Sequence, residues 1–409
     1  MQRRALGLHW DLRPDLIFLN HGSFGLAPRE LLQWRVACLQ EIERDPVAFL
    51  VDQLPQALDE ARRWLAHLVG ASVDQLAFVP STTHGLNELL QRLHQLVPSM
   101  PPGSEILVTN HGYNATGNLV RYAAEQRGWR LREVPLPPVI QHPDQVVEAF
   151  ERAWGATTRL IVLDHITSPT ALILPVAALI ALARSRGAAV IVDGAHAPGS
   201  VPLNLEQLQP NAYVGNLHKW LCCPRGSAFL WVCPSWRDRL RPLVISHGAN
   251  APVHPGGSRF QLEHDWIGTA DPTPWLALPQ ALTRLGGSSD RERACIGLHR
   301  RMQRQRDLAL AGERLLVEQL GVMPSAPPEC RAAMAALPLA TVEHLDGPAL
   351  QRRLLQHGFQ VPIIPLQPHR QGQMQYLRFS CFAYNTLSDL QALATTLANL
   401  GVTQGSLRG

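Results

Sequence analysis

Lysine is almost missing from this chain of 409 residues. Of its 37 Lys and Arg residues, 36 are arginine and one, Lys219, is lysine. Lysine normally ranks among the commonest residues, so the general tasks of a surface cation have passed to arginine here. A compositional bias towards arginine explains the depletion but not the survivor. Lysine alone offers an amine that can lose its proton when buried and form an imine; a guanidinium cannot. Lys219 is therefore either a chance remnant or a candidate for covalent chemistry.

Other absences narrow the field. The seven cysteines (Cys38, Cys222, Cys223, Cys233, Cys295, Cys330 and Cys381) are odd in number. They form no C-x-x-C pair and no Cys/His metal spacing, which argues against a disulfide framework and a zinc site. The longest apolar run, 171–183, is broken by Pro175 and is too short to span a bilayer. The first twenty residues contain an early basic pair but no continuous apolar stretch, so no signal peptide is expected and a reducing cytoplasm is the default. No G-x-G-x-x-G or G-x-x-x-x-G-K-[ST] follows an expected strand, which argues against a Rossmann-type nucleotide enzyme. Net charge is only +4 and the arginines are scattered, so neither a nucleic-acid nor a membrane partner is expected.

What is present is the composition of a soluble globular protein, 46% hydrophobic and 17% charged, long enough for two domains. Short apolar runs at 76–79, 106–109, 129–134, 160–163, 190–192, 212–214 and 228–232 suit buried strands. Helical patterns separate most of them. The clearest is Leu86, Leu89, Leu90, Leu93 and Val97; others cover 146–154 and 176–186. This alternation predicts an α/β fold with a mostly parallel sheet covered on both faces. Such sheets bind ligands beyond the carboxyl ends of their strands. Residues 235–275, rich in Pro, Gly and His, read as loop. A long helix to about 320, strands near 339–342 and 376–380 and a closing helix over 387–400 predict a smaller α+β domain.

Three polar clusters follow expected strands. Pro80-Ser81-Thr82-Thr83-His84-Gly85 precedes the clearest helix. It reads either as a Ser/Thr cap or as an anion site built on a helix N-terminus. Asp193, in Val192-Asp193-Gly194-Ala195-His196, is either a solvated loop charge or an acid able to keep a pyridine nitrogen protonated. Lys219 follows in Gly215-Asn216-Leu217-His218-Lys219-Trp220. Together these features describe a phosphate seat, a pyridinium partner and an imine lysine, in the order one cofactor needs.

At this level the sequence resembles the class V aminotransferase family of fold type I pyridoxal-phosphate enzymes, in its isopenicillin N epimerase-like branch. The landmarks run from Phe18-Leu19-Asn20-His21-Gly22-Ser23-Phe24-Gly25 through Glu43-Arg44-Asp45-Pro46, Asp193-Gly194-Ala195-His196, His218-Lys219 and Trp266-Ile267-Gly268-Thr269 to Ser380-Cys381-Phe382-Ala383-Tyr384-Asn385-Thr386. The resemblance implies a mostly parallel seven-stranded sheet flanked by helices. It divides the chain into an amino-terminal segment (1–20), a large cofactor domain (21–280) and a small α+β carboxyl-terminal domain (281–409). It implies pyridoxal 5′-phosphate held as a Schiff base on Lys219, with Asp193 on the pyridine nitrogen and His196 facing the phenolic oxygen. Thr82, Thr83, Asn216 and His218 match the phosphate seat, Tyr113 the stacking ring and Ser168 a further cofactor contact. Thr269 matches a residue reaching the phosphate of a neighbouring subunit, which implies a homodimer. Arg378 matches the arginine that grips a substrate carboxylate, with Asn20 and His21 nearby.

The implied reaction starts at the α-carbon of a small amino acid. Epimerisation is the first reading, then β-elimination by a carbon–sulfur lyase, then transamination. A non-catalytic cofactor-binding protein is the remaining alternative. Epimerisation calls for a second proton donor, for which His21, Tyr113 and His247 are candidates. The related cysteine desulfurases carry a nucleophilic cysteine shortly before the carboxylate-binding arginine. No cysteine lies in 359–376 here, which argues against persulfide-forming desulfuration. Cys381, beyond Arg378, and the adjacent Cys222 and Cys223 read as packed thiols.

Overall fold

The protein is described by a computed structural model covering residues 3–253, 258–339, 346–366 and 374–402. The amino-terminal segment forms a hairpin, β1 (Arg3–Ala5) with β2 (Leu8–Trp10), and a short strand, β3 (Ile17–Phe18). A seven-stranded sheet follows, from β4 (Leu76–Val79), β5 (Glu105–Thr109), β6 (Arg130–Val134), β7 (Thr158–Asp164), β8 (Ala189–Asp193), β9 (Ala212–Asn216) and β10 (Ala228–Val232). Its order is β4-β10-β9-β8-β7-β5-β6, and β10 alone runs against its neighbours.

Alternation along each strand explains why the central runs are apolar throughout. Leu160 and Val162 enter one core while Ile161 and Leu163 enter the other; Ala228 and Leu230 part from Phe229 and Trp231 in the same way. Successive side chains point to opposite faces of a strand, and both faces are covered. The sheet therefore divides two hydrophobic cores; the edge strand β6, with exposed Arg130 and Arg132, is the exception to the apolar pattern.

The remaining elements depart from expectation in places. The pattern that reads as one helix over 86–97 is two: Thr82–Gln91, a break at Arg92, then Leu93–Leu96. Residues 235–275 are not plain loop; they hold the short helices Arg259–Asp265 and Thr273–Leu276. Long-range contacts secure these, such as Trp275 Nε1 donating to the Val79 carbonyl at 3.2 Å. The helix Arg291–Leu320 leads to β11 (Met334–Leu339), β12 (Phe359–Gln360), β13 (Ile363–Pro365) and β14 (Gln375–Ser380), with Leu387–Asn399 closing the chain. β11, β14 and β13 form an antiparallel sheet, and β12 pairs with β3. The strand expected near 339–342 thus lies earlier, and 340–342 fall outside the described residues. Among the described residues no helix is long and apolar enough to cross a membrane.

Candidate active site

The carboxyl ends of β4, β7, β8 and β9 open on one side of the sheet. Each ends on, or just before, a polar residue: Ser81 to Thr83 after β4, Asp164 at the end of β7, Asp193 on β8 and Asn216 on β9. Lys219 lies in the loop joining β9 to β10. A cavity of about 150 Å³ gathers Thr82, Thr83, Tyr113, Ser168, Asp193, His196, Asn216, His218 and Lys219. The sequence separates these residues by up to 137 positions; the sheet topology brings them together.

Glycines set the backbone spacing at two motifs. Gly25 has φ +64, and a Cβ there would lie 1.9 Å from the His218 carbonyl oxygen. A Cβ on Gly194 would lie 2.1 Å from the Tyr213 ring. A side chain at either position would displace the Lys219 loop or the turn that follows Asp193.

Lys219 is half-buried at the cavity wall, and its Nζ lies 3.1 Å from His196 Nε2. Burial, reinforced by the charge of Arg378, pushes its pKa down to about 7, against the pull of Asp193 and Asp164. Burial likewise keeps His196 neutral, far below the usual imidazole range. Lys219 is thus an amine with a substantial unprotonated fraction near neutrality, which is what a nucleophile or a base needs.

Asp193 accepts a hydrogen bond from Thr116 Oγ1 at 2.8 Å and one from the Ala195 N–H at 3.0 Å. Its neighbour in register, Asp164, accepts from the Tyr113 N–H at 3.3 Å. Burial raises both carboxyls, and the charge of Asp193 raises Asp164 further. Asp193 has the better donors and Asp164 the larger penalty. A proton therefore belongs on Asp164, and Asp193 is the acid that ionises.

At the opposite end, Ser81 caps the helix Thr82–Gln91 by accepting from the His84 N–H at 3.1 Å. Thr82 donates its N–H to Asn216 Oδ1 at 3.1 Å, while its buried Oγ1 has no partner among the described residues. The cap and the anion seat thus coexist: Ser81 is the cap, and Thr82 and Thr83 stand in the first turn beside it. His218 donates Nδ1–H to the Ser227 carbonyl at 3.1 Å, and burial depresses its pKa to about 4. Its neutral ring therefore keeps Nε2 as an acceptor; a phosphate there would draw a proton onto it.

Five expected residues lie outside this lining. Arg378 is 2% exposed and stands behind it. Its Nη1 donates to the Ser168 carbonyl at 2.6 Å and its Nη2 to Ser23 Oγ at 2.7 Å, while Nε has no partner among the described residues. Asn20 Oδ1 accepts from Ser23 Oγ at 2.5 Å and more weakly from Arg378 at 3.4 Å. His21 is fully buried: its ring stacks on Phe382 at 3.7 Å, with Nδ1 3.0 Å from Tyr384 Oη and Nε2 3.0 Å from the Lys219 carbonyl. That position supports the loop from beneath and leaves neither ring nitrogen for a substrate. Thr269 is exposed and away from the cavity of its own chain. His247 is exposed on a short turn. Of the three candidate second donors, only Tyr113 reaches the cavity, 44% exposed.

Sequence reasoning missed Asp164, Thr116 and the lining residues Ser23 and Phe24. For Asp164 the signal was present, because an apolar run ending in Asp is the same feature that marks Asp193. Thr116 sits within a helix and carries no comparable mark. Burial pushes the thiols of Cys222, Cys223 and Cys381 well up, that of Cys222 to about 12, which disfavours their thiolates. No cysteine is among the described lining residues.

These residues fit pyridoxal 5′-phosphate. An unpartnered hydroxyl waits at a helix N-terminus, an acid with its donors stands at the other end, and a depressed amine lies in the same cavity. The sheet, its strand order and this arrangement define the fold of type I pyridoxal-phosphate enzymes. The chain belongs to the aminotransferase class-V family, whose model matches residues 47–393. It is 33% identical over 405 residues to the isopenicillin N epimerase of Amycolatopsis lactamdurans, covering 95% of this chain and 96% of that protein. It is 27% identical over 421 residues to a putative L-cysteine desulfhydrase 1 of Oryza sativa subsp. japonica, covering 95% and 85%. In fold it is similar to the Escherichia coli cysteine desulfurase CsdA, with TM-score 0.77 and 21% identity over 95% of this chain and 96% of the other. The cystine C-S lyase C-DES matches with TM-score 0.77 and 20% identity, covering 94% and 98%.

Proposed function

We propose that the chain is an amino-acid epimerase that binds pyridoxal 5′-phosphate on Lys219 and acts at the α-carbon of a small amino acid. The observation that carries this reading is the Lys219 amine, half-buried and pushed down to about 7, in one cavity with Asp193 and the Thr82 seat. When bound, the cofactor supplies an electron sink that makes the substrate's α-hydrogen acidic. Thr82, Thr83, Asn216 and His218 would hold its phosphate. Asp193, kept ionised by Thr116 and Ala195, would hold the proton on its ring nitrogen. Arg378 would meet the substrate carboxylate through its free Nε, with Ser23 and Ser168 fixing the guanidinium plane. Lys219 Nζ would take the substrate's α-proton on one side. Inversion needs a donor on the other side, and Tyr113, the candidate that lines the cavity, would supply it.

The isopenicillin N epimerase relatives support epimerisation. A second reading, carbon–sulfur lyase, is favoured by L-cysteine desulfhydrase relatives that cover 93–95% of the chain at 26–27% identity. We further propose a homodimer in which the exposed Thr269 reaches the neighbouring phosphate seat, in a reducing cytoplasm that suits seven unpaired cysteines.

Incubation with L- and D-amino acids and cysteine conjugates in deuterated water tests the reading. Epimerisation gives α-deuteration with inversion of configuration. Tyr113→Phe should lose inversion but keep α-proton exchange. Pyruvate and ammonia without inversion would establish the lyase instead, and a keto acid with pyridoxamine phosphate would establish transamination.

A further inference from the structure

A second cavity, of about 430 Å³, shares no lining residue with the first. It lies between the amino-terminal half of the helix Arg291–Leu320, the end of the helix Leu278–Gly286 and the turn at 382–385. Arg284, Arg300, Arg301 and Arg304 line it, and none of its described lining residues is acidic. Arg301 is 4% exposed, yet its Nε and Nη1 have no partner among the described residues. Gln305, one turn along the same helix face, is 3% exposed with both amide atoms unpartnered.

Buried guanidinium groups are normally paired, because an uncompensated buried charge is costly. Burial alone lowers the pKa of Arg301, to about 10, with no carboxylate to restore it. Its neighbours add like charge. An anion entering this space would meet unpaired donors on Arg301, a neutral amide on Gln305 and two exposed arginines at the mouth. Phe382, whose ring lies 5.4 Å from the Arg301 guanidinium, gives the cavity an apolar wall.

We propose that this cavity is a binding site for a small anion, a carboxylate or a phosphate, held by Arg301 and Gln305 with Arg300 and Arg304 at its entrance. The site adjoins the Lys219 loop. Arg301 Nη2 donates to the Trp220 carbonyl at 3.2 Å, and Phe382 stacks on His21, which holds the Lys219 carbonyl. An occupant would therefore bear on the two carbonyls that flank Trp220, immediately after Lys219.

Calorimetric titration of the full chain tests the site, with saturating pyridoxal 5′-phosphate and constant ionic strength. Inorganic phosphate and succinate are the probes, and the one that binds identifies the anion class. Saturable binding of at least one is expected, weakened about tenfold or more by Arg300→Ala/Arg304→Ala. Both residues are exposed, so this variant should fold normally. Arg44→Ala/Arg152→Ala removes the same charge from exposed positions elsewhere and should leave binding unchanged. Absence of saturable binding by either probe would overturn the proposal. So would equal binding by wild type and Arg300→Ala/Arg304→Ala, or equal weakening by both double variants.

Discussion

Two basic side chains of this protein, one in the interior and one at a cavity wall, live under opposite rules. Arg331 is fully buried and satisfied on every side. It meets Glu313 through Nε at 3.0 Å and Nη2 at 2.8 Å, and donates to the Thr170 carbonyl at 3.2 Å and Ser325 Oγ at 2.6 Å. Lys219 is half-buried at a cavity wall, with no carboxylate within ion-pair distance among the described residues; its hydrogen-bond partner there is a neutral histidine. The first arrangement ties the long helix to the loop that presents Ser168. The second leaves an amine ready to give up its proton. A satisfied buried charge holds structure, whereas an unsatisfied one is held there for chemistry.

Substituting the two residues should separate these roles. Lys219→Met should lower turnover by roughly a thousandfold or more, measured by α-proton exchange. It should also stabilise the cofactor-free protein. The unfolded chain holds the lysine proton up to its ordinary 10.5, whereas the folded chain releases it at about 7. Between those values the unfolded state binds more protons, so wild-type stability rises with pH. The cost of burying Lys219 is therefore fully present below about pH 7 and gone above about 10.5. The advantage of Lys219→Met should be about 4 kcal/mol in order of magnitude at neutral pH and fade as pH rises, in chemical denaturation of both proteins.

Arg331→Met should do the reverse to the fold. It strands Glu313 in the interior and should cost about 3–5 kcal/mol, read from the denaturation midpoint. Arg331→Met/Glu313→Leu should recover much of that loss. If the single variant is neutral, the cluster is not structural and the contrast with Lys219 fails.

The smallest effect is expected at Asp164. With its proton in place it is close to an amide in shape and charge. Asp164→Asn should change the affinity for pyridoxal 5′-phosphate by no more than about threefold, in a visible titration. A much larger loss would mean that Asp164, not Asp193, carries the negative charge.

Much of this was legible in the sequence, for reasons that also explain the gaps. The inner strands showed as apolar runs because both sheet faces are covered there, whereas β6, at the edge, alternates exposed Arg130 and Arg132 with apolar or half-buried residues. Their ends were read short at Asp164, Asp193 and Asn216, where the strand continues into polar residues. Those residues line the cavity, so the apolar signal for a strand fades where its end turns polar. Lys219, Asp193 and Thr82 were found because each follows a strand in a recognisable motif. His21 was misplaced because its motif adjoins the site while its side chain packs beneath it. The short helices within 235–275 went unseen because distant contacts, not local periodicity, hold them. The arginine-lined cavity left no local trace, since its walls come from three separated segments.

The central claim is that Lys219 carries the cofactor, and the scarcity of lysine makes it unusually direct to test. The protein should be reconstituted with pyridoxal 5′-phosphate, reduced with borohydride, digested and mapped by mass spectrometry. The account predicts one phosphopyridoxyl group, on the peptide containing Lys219, with loss of the visible absorption band. Its appearance solely on the amino-terminal amine, or an unmodified Lys219 after full reduction, would contradict it.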